Sequence, residues 1–290
     1  MTITFRGGRL PAQPARPHLR LGDYLTGAPI PAPPPSADWL GRVATWPMYG
    51  NDVVGDCTFA SAGHIIQALT AYAQATSVEV TDADVLHGYE AVSGYRPGQP
   101  STDTGCVLED VLAYWRKTGV GGHKILAYAK VDVSNPAEVE QAIALFGAIK
   151  LGINLPESAE DQFNAGQPWD YVRGSRILGG HCVPVGRYRQ GGTIDGVTWA
   201  RVQSMTPEFW RRYVEEGWIV ITQDWLDAAG HSPSGLDLYG LGEDLAALTS
   251  SPNPFPHPTP APPSPTPGRP DAADLALAAA QAAWTKARGL

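Results

Sequence analysis

The chain has 290 residues, a net charge of −8 and a pI near 5.3. An apolar fraction of 43% with nine tryptophans excludes a disordered chain and allows one large core or two modest ones. Basic residues are scattered singly, so no surface is expected to neutralise a run of phosphates, and nucleic acid is not an expected partner.

The N-terminus, MTITFRGGRLPAQPARPH, lacks an apolar h-region. A secretory signal is therefore not expected, and synthesis in a reducing cytoplasm is. No apolar run approaches the roughly 20 residues of a membrane span. Three cysteines make neither a disulfide framework nor a metal-type spacing, so no metal or cofactor is expected.

Residues 1–36, containing APIPAPPPS, read as an extended N-terminal arm. A globular domain follows over 37–248, with a helical lobe over about 37–130 and a strand-rich lobe over about 131–248. Thr58 to Ala75 carries apolar residues at helical spacing (Phe59, Ala62, Ile65, Ile66, Leu69, Ala73). Thr81-Asp82-Ala83-Asp84 is a capping-type helix start, and VLEDVLAYWRKT is amphipathic up to Gly119. Beyond these, AIKLGINL, CVPVGRY, VTWARVQ and GWIVI read as strands. Helices first and a sheet afterwards predict an α+β fold and permit two lobes with a cleft between them.

Ten of the twenty positions from Ser251 to Pro270 are proline, which predicts a stiff spacer over 249–270. The tail 271–290, acidic at its start and basic at its end, predicts a short helix that either docks on a protein partner or frays.

Chemistry concentrates around Cys57 in GNDVVGDCTFASAGHIIQ. The thiol follows Gly55-Asp56 and opens the first long helix, where the dipole and free N–H groups favour a thiolate. Asn51, six residues upstream, is a candidate second oxyanion donor beside the Cys57 N–H. The candidate base is His181 in LGGHCVPVGRY, at the start of a strand. His64 lies two helical turns from Cys57, about 10 Å away, and reads as packing beside the site. His87, His123 and His231 lack a comparable strand-edge setting. Gln203 in VTWARVQS is the candidate that orients the imidazole.

These residues, in this order, resemble the papain-like cysteine peptidases. Trp39 in ADWLGRV lies eighteen residues before Cys57 and Asn51 lies six before it; VPVGRY follows the histidine, then Gln203-Ser204, then Gly217-Trp218-Ile219. EQAIALFGAIKLGINL resembles the helix and strand that precede the family's histidine. The similarity covers roughly residues 37–225. It implies an N-terminal helical lobe, a C-terminal antiparallel β-barrel-like lobe and a cleft between them. It also implies a Cys57–His181 dyad oriented by Gln203, with an oxyanion hole from Asn51 and the Cys57 N–H. Trp39, Gly55, Asp56, His64 and Met205 are implied as structural neighbours, Met205 standing where the family has a shielding tryptophan. The substrate implied is a peptide, an isopeptide or a related amide.

Several positions depart from the family. Asn51 replaces a glutamine, Gln203 an asparagine and Thr58 a tryptophan. Val54 leaves Cys106 without the family's disulfide partner, and the arm is shorter than the usual inhibitory propeptide. A second expectation is therefore a catalytically silent papain-like module, attached through the C-terminal helix to an assembly such as a phage particle.

Overall fold

The computed structural model describes residues 2–13, 18–22, 32–240, 242–243, 252–253 and 255–257. The tail helix expected over 271–290, and most of the proline spacer, lie outside the described residues.

The first long helix, α1 (Cys57–Ala73), is buried along its whole length except at Tyr72. A helix apolar on all faces must sit inside a core, and α1 lies between the other helices and the sheet. Its small residues allow this: a Cβ at Gly63 would come 2.7 Å from the Tyr49 ring. Helix α2 (Asp82–Ser93) starts as the sequence predicts. Thr81 Oγ1 accepts from Asp84 N–H, and the Asp84 carboxylate accepts from Thr81 N–H, closing a capping box. Helix α3 (Leu108–Lys117) has acids in its first turn and Arg116 and Lys117 in its last, matching its dipole.

The strand-rich lobe is one antiparallel sheet. Its strands are β1 (Ser36–Asp38), β2 (Ile125–Val131), β3 (Ile149–Pro156), β4 (Ile177–Arg189), β5 (Ile194–Thr198), β6 (Arg201–Met205) and β7 (Val214–Thr222). The path runs β2-β7-β3-β4-β5-β6, with β1 paired to β4. Helices α4 (Pro136–Phe146), α5 (Glu157–Asn164) and α6 (Pro207–Tyr213) fill the connections. The fold is α+β and two-lobed, as the sequence predicts; the sheet stays open, β2 and β6 forming its two ends, instead of closing into a barrel. Among the described residues no helix is long and apolar enough to cross a membrane.

Two local readings change, the strand over VTWARVQ and the end of the domain, and the arm gains contacts that the sequence did not show. VTWARVQ is a hairpin instead of one strand: Trp199 and Ala200 have φ of 45° and 63°, and Thr198 pairs with Arg201. Two successive positive-φ residues form the tight turn that suits strand twist. The first described residues of the N-terminal arm pack on the domain. Ile3 exchanges two hydrogen bonds with the Asn164 side chain, and Phe5 N–H donates to Glu160. At the other end Phe255, inside the expected spacer, is buried, so the domain extends past residue 248.

Candidate active site

Helix α1 presents Cys57 at its first position, and β4 carries His181 and Cys182 on successive, opposite-facing positions. Cys182 Sγ meets Ser61 Oγ at 3.1 Å, which pins the first turns of α1 to β4. Beneath that contact Lys150 of β3, fully buried, donates from Nζ to Thr58 O and Ser61 Oγ. The ammonium therefore lies under the first turn of the helix that carries the thiol. Burial pulls the Lys150 pKa down, opposed by Cys182 and Cys57.

His181 is completely buried. Its Nε2 lies 2.8 Å from Thr198 Oγ1, while its Nδ1 has no hydrogen-bond partner. Trp199 stacks on the imidazole at 4.8 Å between centroids, and Phe5 meets it edge-on at 5.5 Å. Burial depresses the imidazole pKa to about 3, so the ring is neutral at pH 7. A neutral ring whose Nε2–H donates to Thr198 carries its free lone pair on Nδ1. Cys57 is also fully buried, and burial first, then neighbouring Cys182, push its thiol well above the usual range.

The cover over the thiol is the chain's own N-terminus. A Cβ on Gly8 would lie 2.1 Å from Gly55 O and 2.8 Å from Cys57 Sγ. Gly7 carbonyl oxygen approaches Gly55 so closely that a Cβ there would be 2.2 Å away. Only glycines fit on both sides of this crossing. The segment is bonded to both walls: Cys106 N–H donates to Gly8 O, Leu10 N–H to Cys106 O, and Arg9 N–H to Gly180 O. Phe5–Leu10 thus lies extended between the loop that carries Cys106 and strand β4.

Several residues expected at the site do other work. Gln203 donates its amide to Gln167 O at 2.8 Å and Ser204 O at 3.2 Å, leaving Thr198 as the imidazole's partner. The hairpin turn explains this: it places Thr198, at the end of β5, where a continuous strand would have carried the orienting group on to Gln203. The ring over His181 is Trp199; Met205 is buried and pairs with Ile194 on the neighbouring strand. Asn51 spends both amide hydrogens, on Asp56 Oδ1 at 3.0 Å and Val54 O at 3.4 Å, and leaves none for an oxyanion. Asp56 is buried, and desolvation pushes its carboxyl well above the usual range while the Asn51 amide opposes this. Trp39 packs edge-on against Tyr72 at 5.1 Å and Trp225 at 5.0 Å, near the far end of α1. His64 Nε2–H donates to Pro47 O (2.8 Å), and burial lowers its pKa to about 4. Gly55 N–H is held by the Asp103 carboxylate at 3.1 Å. His123 instead pairs with Asp224 at 2.7 Å.

Sequence reasoning missed Thr198, Trp199, Lys150 and the Gly7-Gly8 crossing. The turn at Trp199-Ala200 contains none of the Gly, Asn or Asp residues that signal hairpins. The doublet in FRGGRL was the available sign that the arm approaches another backbone closely.

No protein-family model and no curated protein sequence matches the chain. Solved structures do. Xylellain, a cysteine protease from Xylella fastidiosa, matches with a TM-score of 0.58 at 14% identity, covering 77% of this chain and 98% of its own. Digestive procathepsin L 3 of Tenebrio molitor larval midgut matches at 0.51 and 14%, covering 74% and 76%. Procathepsin B S9 from Trypanosoma congolense matches at 0.50 and 11%, covering 75% and 86%. The chain has the papain-like fold.

Proposed function

We propose that this papain-like chain is a thiol hydrolase of peptide or related amide bonds, with Cys57 as nucleophile and His181 as its proton carrier. The observation that carries the proposal is the His181 ring. One nitrogen lies 2.8 Å from Thr198 Oγ1 and the other, Nδ1, is buried without a partner, on the strand against which the helix bearing Cys57 packs. A buried polar atom without a partner is costly, about 1–3 kcal/mol, and a proton-carrying role accounts for Nδ1 being left so.

In the reaction, Cys57 Sγ attacks the carbonyl carbon and its proton passes to His181 Nδ1. The Cys57 N–H, in the helix turn whose first donors lack intrahelical partners, receives the oxyanion. His181 Nδ1–H then protonates the departing amine, leaving a thioester on Cys57. Water attacks that thioester, giving its proton to Nδ1; the acid leaves and the thiol is reprotonated. Thr198 keeps Nε2–H oriented through both halves, and Trp199 excludes solvent from the ring. Displacement of Phe5–Leu10 precedes these steps, since Gly8 occupies the space above Sγ.

The silent-module reading draws on the same cover over the thiol. The two readings part on turnover: the full chain carrying Gly8→Val, which displaces the cover, is expected to release amine from peptide amides. Loss of that release in the additional Cys57→Ser variant supports the hydrolase. Absence of release from a diverse peptide library, with the cover shown to be displaced, supports the silent module.

A further inference from the structure

Arg9 is held by several hydrogen bonds and ion pairs at once. It is a cation with 1% of its side chain exposed. Its Nε donates to Glu216 Oε1 at 3.0 Å and Nη2 reaches the same oxygen at 2.9 Å. Nη2 also pairs with Glu215 Oε2 at 2.9 Å, and Nη1 faces Ile153 O at 3.4 Å and Asn154 Oδ1 at 3.5 Å. Glu216 is itself buried, with 2% of its side chain exposed, and its other oxygen accepts from Trp218 Nε1 at 2.9 Å. Asn154 donates to Glu215, so the acid on the open side is also oriented.

The floor is shaped for a flat group. At Gly152 of β3 a Cβ would lie 2.6 Å from Arg9 Nε and 2.7 Å from Glu216 Cγ. At the mouth, a Cβ on Gly180 would come 2.2 Å from Arg9 O. Two glycines therefore let an arginine stem and its backbone lie close against the face of the paired strands β3 and β4. Two acids on β7 face one guanidinium, so the pocket carries an excess negative charge even when filled. A buried carboxylate left without its cation is strongly unfavourable. The fork of donors is matched by Glu216, Glu215 and a carbonyl in three directions, a geometry that an ammonium, a point charge, does not satisfy.

The backbone that delivers Arg9 is bonded to both cleft walls, immediately after Gly8 crosses Cys57 Sγ. We propose that this pocket is a specificity subsite of the cleft, built for the guanidinium of an arginine side chain in a peptide substrate, with Arg9 as its intramolecular occupant. The proposal rests on the hydrolase reading for the word substrate; guanidinium recognition itself does not. Burial alone would pull the Arg9 pKa down, and the two glutamates more than reverse this, in keeping with a site that holds the cation charged.

The test uses the full chain carrying Arg9→Ala, with n-propylguanidinium as the probe and its neutral isostere n-propylurea as control. Thermal melting of Arg9→Ala is expected to rise by about 2–4 °C at guanidinium ten times its Kd. The wild type, whose pocket is filled, and Arg9→Ala/Glu216→Gln should not respond. An Arg9→Ala chain that folds only with propylguanidinium gives the same result in stronger form. Equal effects of guanidinium and urea, or equal effects on Arg9→Ala and wild type, overturn the pocket. A second arm uses Gly8→Val and two peptidyl epoxides differing only in arginine or norleucine. Arginine is expected to speed labelling of Cys57 at least about tenfold. If neither epoxide labels Cys57 while guanidinium still stabilises Arg9→Ala, the hydrolase reading fails and the pocket stands. Equal labelling by both contradicts the subsite while leaving the hydrolase intact.

Discussion

His181 Nε2 and Thr198 Oγ1 lie 2.8 Å apart, and this contact leaves Nδ1 as the ring nitrogen without a partner. Replacing Thr198 by valine keeps the shape and removes the hydroxyl that meets Nε2. Thr198→Val in the Gly8→Val background is expected to slow Cys57 alkylation by about a hundredfold, the lower end of what a positioned base supplies. Gln203→Ala, which releases only Gln167 and Ser204, should leave the rate unchanged. Stopped-flow alkylation at pH 7 reads both. A larger loss in Gln203→Ala than in Thr198→Val would reverse the assignment.

The crossing at Gly8 has no room for a side chain, since a Cβ meets Gly55 O at 2.1 Å. Overpacking of this kind costs about 1–3 kcal/mol, which corresponds to about a 5- to 150-fold rise in the population of the uncovered site. Gly8→Val is therefore expected to accelerate Cys57 modification in that range and to lower the melting temperature by a few degrees while the domain still folds. Intact-mass kinetics with a small thiol reagent checks it, and a rate equal to wild type would show that the segment does not limit access.

Stability should fall on the acid side through the buried histidines. His64 and His181 are depressed to about 4 and about 3, below the roughly 6.5 of an unfolded histidine. Between those values the unfolded chain binds more protons than the folded one, so stability is lost as pH falls from about 6.5 towards 4. Each histidine contributes a slope of about 1.4 kcal/mol per pH unit inside that window. Asp56, whose pKa is raised by burial, acts in the opposite direction, so the comparison is made with a variant. Urea unfolding of wild type and His64→Gln from pH 7 to 4.5 should show slopes differing by one proton. Parallel curves would mean that His64 is not held neutral.

Ser61 Oγ stands between the Lys150 ammonium and Cys182 Sγ. Ser61→Ala leaves a fully buried cation short of a partner and is expected to cost about 1–3 kcal/mol. Chemical denaturation measures it. The conservative Ser61→Thr, which keeps the hydroxyl, should recover part of the loss if the extra methyl is accommodated. A Ser61→Ala chain as stable as wild type would mean that the cluster is satisfied without the hydroxyl.

The α+β order and the nucleophile helix were legible because they rest on local signals. Apolar spacing after Cys57 and the Thr81–Asp84 box depend on neighbours within one or two turns. The failures came where tertiary contacts overrule local pattern. Trp199 adopts φ of 45° because its indole packs on His181, Phe163 and Trp169, and no residue type in that turn announces it. Lys150 resembles one polar residue in an apolar strand, and its partners Thr58 and Ser61 lie some ninety residues away. Asn51 was correctly seen as close to Cys57 in the chain, but Asp56, nearer still, takes its amide. The arm read only as extended, because proline content indicates stiffness and gives no sign of what the first ten residues bind.

The central claim, that His181 activates Cys57, is tested most directly by an epoxide probe on the full chain with Gly8→Val. The account predicts labelling at Cys57, found by peptide mass analysis, faster than an exposed cysteine of a model peptide at pH 7, and loss of that advantage in Gly8→Val/His181→Ala. Labelling at the model-peptide rate, unchanged by His181→Ala, would contradict it.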